Sequence, residues 1–226
     1  MSQRDVQLAL VEGMDRPVGR VLPSVFTGTN SDLMAAVAPL YLTGSVLDVT
    51  YGNGDTAGGW WRRFTPEPFT FHDLALDGVD FRNLPYAANS FDTVCFDPPY
   101  VPAGGVRSSG QTPAEKNYRD RFGLAPRSLP ELCDLIASGL AETARVASSW
   151  LLVKCTDFVT GGAFVLGHLF VLDRARDLGL HPHDLIVHHT GTGPGGHNIT
   201  TVKRARRAHS YLLVFAPVSG LPETRS

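Results

Sequence analysis

The sequence predicts an α/β protein, a sheet with helices on both faces. Three observations carry the prediction. Short apolar runs, among them Ser45–Thr50 and Phe91–Asp97, show little polar alternation, as strands buried on both faces do. Between such runs lie segments with helical periodicity, clearest over residues 129–146, where Leu132, Leu135, Ile136 and Leu140 share a face. Two of the runs end in an acid followed by turn-forming residues, at Asp48 and at Asp97. In open α/β sheets ligands bind at the carboxyl ends of strands.

The elements follow in order. Residues 1–23 are a mixed lead-in. A helix is expected over 31–42, capped by Asn30 or Ser31, with Leu33, Met34, Val37 and Leu40 at helical spacing and Pro39 interrupting its last turn. A buried strand follows at 45–50, then a helix at 56–64 carrying Trp60 and Trp61. Short strands are expected at 69–73 and 79–82, and a central strand at 91–97. Residues 101–127 are rich in Gly, Pro, Ser and charge and read as a long loop. After the helix at 129–146 come a buried strand at 150–155, a helix at 164–178 ended by Gly179, and a strand at 185–188. A second Gly-rich, basic loop occupies 189–208, and a strand at 211–215 closes the sheet.

Composition bounds the function. The chain has 226 residues, enough for a single domain over 1–226 with a complete core. Its formal net charge is −2, so any nucleic-acid contact must come from a local basic patch. No stretch is long and apolar enough to cross a membrane, and the N-terminus lacks a signal-peptide pattern, so a cytoplasmic protein is expected. The three cysteines, Cys95, Cys133 and Cys155, lie in apolar runs without CxxC spacing. They read as buried thiols rather than a disulfide framework or a zinc site.

The segment Asp48-Val49-Thr50-Tyr51-Gly52-Asn53-Gly54 places an acid and a Gly-x-Gly turn at a strand end. Glycines there let a ligand approach the backbone. A plain turn or a dinucleotide fingerprint would share this pattern. Asp48 disfavours the latter, because a pyrophosphate would meet a negative charge; an acid suits a cationic ligand. Asp73, about 25 residues on, can accept hydrogen bonds from a ribose diol, or is a surface acid at a strand end. Asp80 is a candidate for an adenine amine, or flanks a turn at Gly78.

Asp97-Pro98-Pro99-Tyr100 is the most specific motif. An aromatic amine is a poor nucleophile because its lone pair is delocalised into the ring. Acceptors aimed at its N–H bonds stabilise the rehybridised nitrogen. Asp97 supplies one and the Pro98 carbonyl another, with the two prolines fixing its direction. Tyr100 offers a ring on which an extruded base can stack.

These two motifs in this order resemble the S-adenosyl-L-methionine (AdoMet)-dependent DNA amino-methyltransferases, in particular small phage and bacterial adenine or cytosine amino-methylases. Lys154-Cys155-Thr156-Asp157 and the run from Arg206 to Phe215 are also similar to that family, so the likeness covers roughly residues 20–215. The resemblance implies a Rossmann-like class I methyltransferase fold with a mostly parallel seven-stranded sheet. It implies AdoMet as cofactor, held by Asp48, Thr50, Gly52, Gly54, Asp73 and Asp80, with Thr29 or Asn30 on its carboxylate. Catalysis would fall to Asp97, Pro98, Pro99 and Tyr100. Substrate contacts would fall to Lys154, His197, Lys203, Arg204, Arg206 and Arg207. The leading Asp of the tetrapeptide is the family's habit for adenine, placing N6 of adenine ahead of N4 of cytosine. Carbon methylation is disfavoured, since ring-carbon methylases typically show Pro-Cys where this chain has Pro98-Pro99.

The chain departs from larger members in leaving no room for a separate recognition domain. Residues 101–127 and 189–208 are the candidates for target contact, the second with no acid from Thr190 to Phe215, although a basic loop is often just a solvated one. DNA is the expected partner, with RNA base amines or a protein glutamine as alternatives, and recognition completed by a homodimer or a partner subunit. A non-catalytic nucleic-acid-binding protein and a nicotinamide oxidoreductase are the competing classes.

Overall fold

The computed structural model describes residues 22–52, 59–100, 123, 125–160, 162–190, 205 and 207–217. Nine strands and three helices occur among them: β1 (Val25–Thr27), α1 (Asn30–Tyr41), β2 (Val46–Asp48), β3 (Phe69–Phe71), β4 (Phe91–Phe96), α2 (Leu129–Val146), β5 (Ala147–Cys155), β6 (Phe158–Thr160), β7 (Ala163–Val165), α3 (Gly167–Asp177), β8 (Leu180–His189) and β9 (His209–Pro217). Seven strands form one sheet in the order β1-β8-β9-β5-β4-β2-β3. Strand β9 runs antiparallel to both neighbours; the remaining pairings are parallel. The fold is α/β and Rossmann-like, as expected. Its strand order reverses at β2, between β3 and β4, which is where such sheets form a crevice.

The two faces can be read from strand parity. Leu47, Val94, Phe96, Leu151 and Val153 pack with α2 and α3 in one core. Val46, Cys95, Leu152, Leu212 and Val214 pack with α1 in the other. Each fully buried Leu or Val contributes ~1.5–3 kcal/mol. The run without polar alternation is therefore the signature of strands covered on both sides. Among the described residues no helix is long and apolar enough to cross a membrane.

Several sequence-based expectations are corrected. Helix α1 is capped by Thr29, not Asn30 or Ser31. Its hydroxyl accepts from Asp32 N at 3.1 Å while Asp32 Oδ2 accepts from Thr29 N at 2.9 Å, a complete capping box. Residues 79–82 are turn rather than strand, because Asp77 Oδ1 accepts from Val79 N and Asp80 Oδ1 from Arg82 N. These local bonds outcompete a ladder. The seventh strand is instead β1, on the opposite edge. Of the helix expected at 56–64, the described part, 59–64, is not helical; Trp60 and Trp61 are both buried in the α1-side core. The helix expected from 164 begins at Gly167, because 163–165 pairs with β6 in a hairpin. The 129–146 helix matches its expected bounds, with Ser128 as cap.

Strand β4, which leads to the tetrapeptide, is fixed from below and from the side. At its start Asp92 Oδ2 accepts from Ser45 N and Oγ at 2.7 and 2.8 Å, tying β4 to the entry of β2. Near its end the Phe96 ring sits against Phe81 and under Gly139 of α2. A Cβ at Gly139 would lie 2.6 Å from Phe96 Cζ and 2.7 Å from the Phe81 ring. Helix propensity alone favours Gly139→Ala by ~1 kcal/mol. Overlap with two buried rings costs about 1–3 kcal/mol. We therefore expect Gly139→Ala to lower stability in urea unfolding, and the midpoint to fall rather than rise.

Candidate functional site

The carboxyl edge of the sheet brings the sequence-predicted acids together. Asp48 pairs with Cys95, and Cys95 with Leu152. Continuing both ladders by two residues sets Thr50 beside Asp97 and Asp97 beside Lys154. The hydrogen bonds agree: Asp97 N donates to Thr50 Oγ1 at 2.7 Å.

Asp48 is 3% exposed. Its Oδ1 accepts from Thr50 N at 2.8 Å and its Oδ2 from the Trp61 indole N–H at 2.6 Å. Burial pushes its carboxyl up to about 7. The two donors oppose the rise, and the charges of Asp97 and Asp73 add to it. Asp73, just beyond β3, is also buried. Its Oδ2 accepts from Gly52 N at 3.0 Å and its Oδ1 from Ala75 N at 2.8 Å. Burial raises its carboxyl too. Gly52 has φ +54, a conformation that favours glycine, so the chain turns directly after the N–H that meets Asp73.

Lys154 is 5% exposed, near the end of β5. Its ammonium donates to Asn30 Oδ1 at the start of α1. Burial lowers its pKa, and the negative charge of Asp97 opposes the shift. Asn30 and Lys154, expected on cofactor and substrate respectively, are thus bonded to each other. Thr29 spends its hydroxyl on the helix cap, where it donates to Asp32 at 2.7 Å and accepts from Asp32 N.

Pro98 and Pro99 are buried. Pro98 and Tyr100 line an apolar cavity with Leu132 and Ile136 of α2, Phe170 of α3 and Phe158 of β6. The Tyr100 hydroxyl is buried without a hydrogen-bond partner among the described residues. Cys95 lies beside Asp48 in the β2–β4 ladder; burial, with the charge of Asp48, pushes its thiol well above its ordinary value, so it is no thiolate nucleophile.

Other expected residues lie elsewhere. Asp80 sits in its turn, paired with Arg82 at 2.5 Å, and that pairing holds its carboxyl below the usual range. Arg207 places its guanidinium 4.7 Å from the centre of the Phe164 ring and donates to Ala205 O at 2.6 Å. Gly54, His197, Lys203, Arg204 and Arg206 lie outside the described residues, as do most of the two expected loops.

Trp61 was missed as a site residue; read as one side of a helix, it gave no sign that its indole would reach Asp48. A second cluster was also missed. Buried Asp157 accepts from Tyr211 Oη at 3.1 Å and bonds His168 Nδ1 at 2.6 Å, and Tyr211 Oη lies 3.1 Å from His209 Nε2. The one advance sign was Asp157 itself, at the end of the Lys154-Cys155-Thr156-Asp157 run.

No family model and no curated protein matches the chain. Solved structures similar to it include a candidate DNA modification methylase of Thermus thermophilus in complex with AdoMet, at 16% identity over 81% of this chain with TM-score 0.41. The chain spans 59% of the length of that protein. A candidate methyltransferase of Bacillus halodurans is similar at 13% identity over 84% of this chain and 99% of that one, TM-score 0.45. So is a complex of the Trm112 methyltransferase activator with a candidate methyltransferase from Haloferax volcanii, at 14% identity over 94% and 95%, TM-score 0.44. At such identities they say nothing of substrate.

The raised carboxyl of Asp48 has a definite sign in stability. The unfolded chain ionises this group near 3.8 and the folded chain near 7, so between these values the folded state binds more protons. Its contribution to stability is fully present below about 3.8 and is lost as pH rises to about 7. We expect the stability of the wild-type chain minus that of Asp48→Asn to decline between pH 4 and pH 7 and to level off above, in urea unfolding across that range. A difference that stays flat with pH would mean Asp48 is ionised throughout.

Proposed function

We propose that the chain is an AdoMet-dependent methyltransferase acting on the exocyclic amine of a DNA base, adenine N6 ahead of cytosine N4. The observation that carries this reading is the position of Asp97-Pro98-Pro99-Tyr100. It leaves β4 at the point where strand order reverses, tied to Thr50 at the acid-bearing end of β2.

The residues present fit the cofactor. Asp48, Asp73 and Asp97 converge closely enough that both neighbours raise the Asp48 carboxyl. A site with that much negative charge out of water favours a cation. AdoMet, when bound, supplies an electrophilic methyl group on a sulfonium. Asp48 and Asp73 offer carboxylates to its cationic and hydroxyl groups, and Gly52 leaves the backbone open. Asn30 and Lys154 stand at the start of α1 for its carboxylate or for the substrate. Asp80, engaged with Arg82, would have to exchange that partner to reach an adenine amine.

On the substrate side, the Asp97 carboxylate and the Pro98 carbonyl accept the N–H bonds of the amine. Pro98 and Pro99 lock the backbone torsions that aim them. The Asp97 carboxylate can take up the proton that the methylated nitrogen must shed, with Lys154 offsetting its charge. Tyr100 provides the ring face and closes the apolar side against water. The inert Cys95 thiol supports amine rather than ring-carbon methylation. A basic run after Thr190 supports nucleic acid over a protein substrate.

The test is transfer of labelled methyl from AdoMet to duplex DNA, with RNA in parallel, followed by nucleoside analysis. Methylated adenine or cytosine amine in DNA is the expected product; label in RNA alone would move the substrate. We expect Asp97→Ala to lower turnover by at least ~10²-fold, with a far smaller loss of AdoMet affinity from the removed charge. Normal turnover in that variant would remove Asp97 from the chemistry.

A further inference from the structure

The β6–β7 hairpin has two unlike faces. Its register pairs Phe158 with Val165 and Val159 with Phe164, and Thr160 with Ala163 across a turn in which Gly162 has φ +78. In a two-stranded ribbon, cross-strand partners point to one side and the next pair to the other. Phe158 and Val165 accordingly line the cavity that holds Pro98 and Tyr100. Val159 and Phe164 point away and remain 45% and 40% exposed. The hairpin thus abuts the tetrapeptide on one side and presents an apolar pair to solvent on the other.

That outer pair is not a bare patch. The Arg207 guanidinium sits over the Phe164 ring, and the sequence around Arg207 carries no acid from Thr190 to Phe215. The hairpin is also anchored. Just before it, Asp157 bonds His168 at the start of α3 and Tyr211 of β9, and the His168 and Tyr211 rings lie 4.4 Å apart. A fixed aromatic ring, still 40% exposed with a cation over one of its faces, matches a nucleotide: the open part of the ring takes the base and the guanidinium the phosphate. A nucleotide joins a flat ring to an anionic phosphate, the pair of groups that Phe164 and Arg207 are set to meet, whereas a lipid headgroup brings the charge without the ring.

We propose that Phe164 and Arg207 form a shelf that stacks and pins a DNA nucleotide flanking the one delivered to Tyr100. This rests on the reading of the site as a DNA-base methyltransferase and extends it to a second contact. The shelf would hold the strand beside the catalytic pocket.

The test measures binding of labelled single-stranded and duplex DNA oligonucleotides by fluorescence anisotropy, with methyl transfer and AdoMet affinity followed in parallel. Phe164→Ala should weaken oligonucleotide binding about five- to a hundredfold and leave AdoMet affinity unchanged. Phe164→Trp should keep wild-type affinity, whereas Phe164→Leu, apolar but without a ring face, should not. Arg207→Gln should reduce the slope of log affinity against log salt by about one. Unchanged DNA affinity in Phe164→Ala, full affinity in Phe164→Leu, or no DNA binding by the wild-type chain would overturn the shelf. A chain that binds DNA through Phe164 yet transfers no methyl group would keep the shelf and overturn the assigned reaction.

Discussion

The bond from Asp97 N to Thr50 Oγ1 is the link on which the carboxyl edge depends. Pro98 and Pro99 have no N–H, so after Asp97 the chain has no backbone donor until Tyr100. The direction in which the tetrapeptide leaves the sheet is therefore set by that last donor. Thr50 can hold it because Thr50 is itself held, through its own N–H on Asp48 Oδ1. Asp48 is in turn fixed by the Trp61 indole. Trp61, Asp48, Thr50 and Asp97 form one chain of hydrogen bonds running from the α1-side core to the start of the tetrapeptide.

That arrangement is costly. Raising a carboxyl from 3.8 to about 7 corresponds to on the order of 4 kcal/mol against its ionised form. Whole domains are stable by roughly 5–15 kcal/mol, so one such group weighs heavily in the total. A neutral Asn at 48 would avoid much of the cost in the empty protein. Keeping an acid there makes sense if a positive ligand removes the penalty when it binds. The cluster stores electrostatic strain that a cation relieves, which gives the site a preference in sign before any shape is considered.

Much of this was legible in the sequence, for a physical reason. Strands β2, β4 and β5 are buried on both faces, so their apolar runs show little alternation and each run ends in a charge: Asp48, Asp97 and Lys154. The α2 helix was legible to the residue because Ser128 caps it and four apolar side chains repeat on one face. What escaped was decided by contacts distant in sequence or by competition with local bonds. Val79-Asp80-Phe81-Arg82 alternates like a strand, and Phe81 is buried as such a strand would require. Yet Asp77 and Asp80 bond their own following amides and bend the chain into turns. The hairpin at 158–165 was hidden because Phe164 and Val165 continue smoothly into a helical pattern. Nothing local said that Trp61 would meet Asp48.

The parity of the strands also divides the labour of the site. Asp48 and Lys154 share the α1 side with Val46 and Leu152, two residues before each. The charges that act on one another, Asp48 with Asp97 and Asp97 with Lys154, belong to that side. Tyr100 lies on the other, in an apolar cavity with α2, α3 and the hairpin. The tetrapeptide therefore crosses from one face of the sheet to the other within four residues, a path that two consecutive prolines make rigid. A charged donor and a flat, weakly polar acceptor need opposite environments. Here the sheet edge separates two such environments by a few residues of backbone, and Asp97 stands at the crossing point.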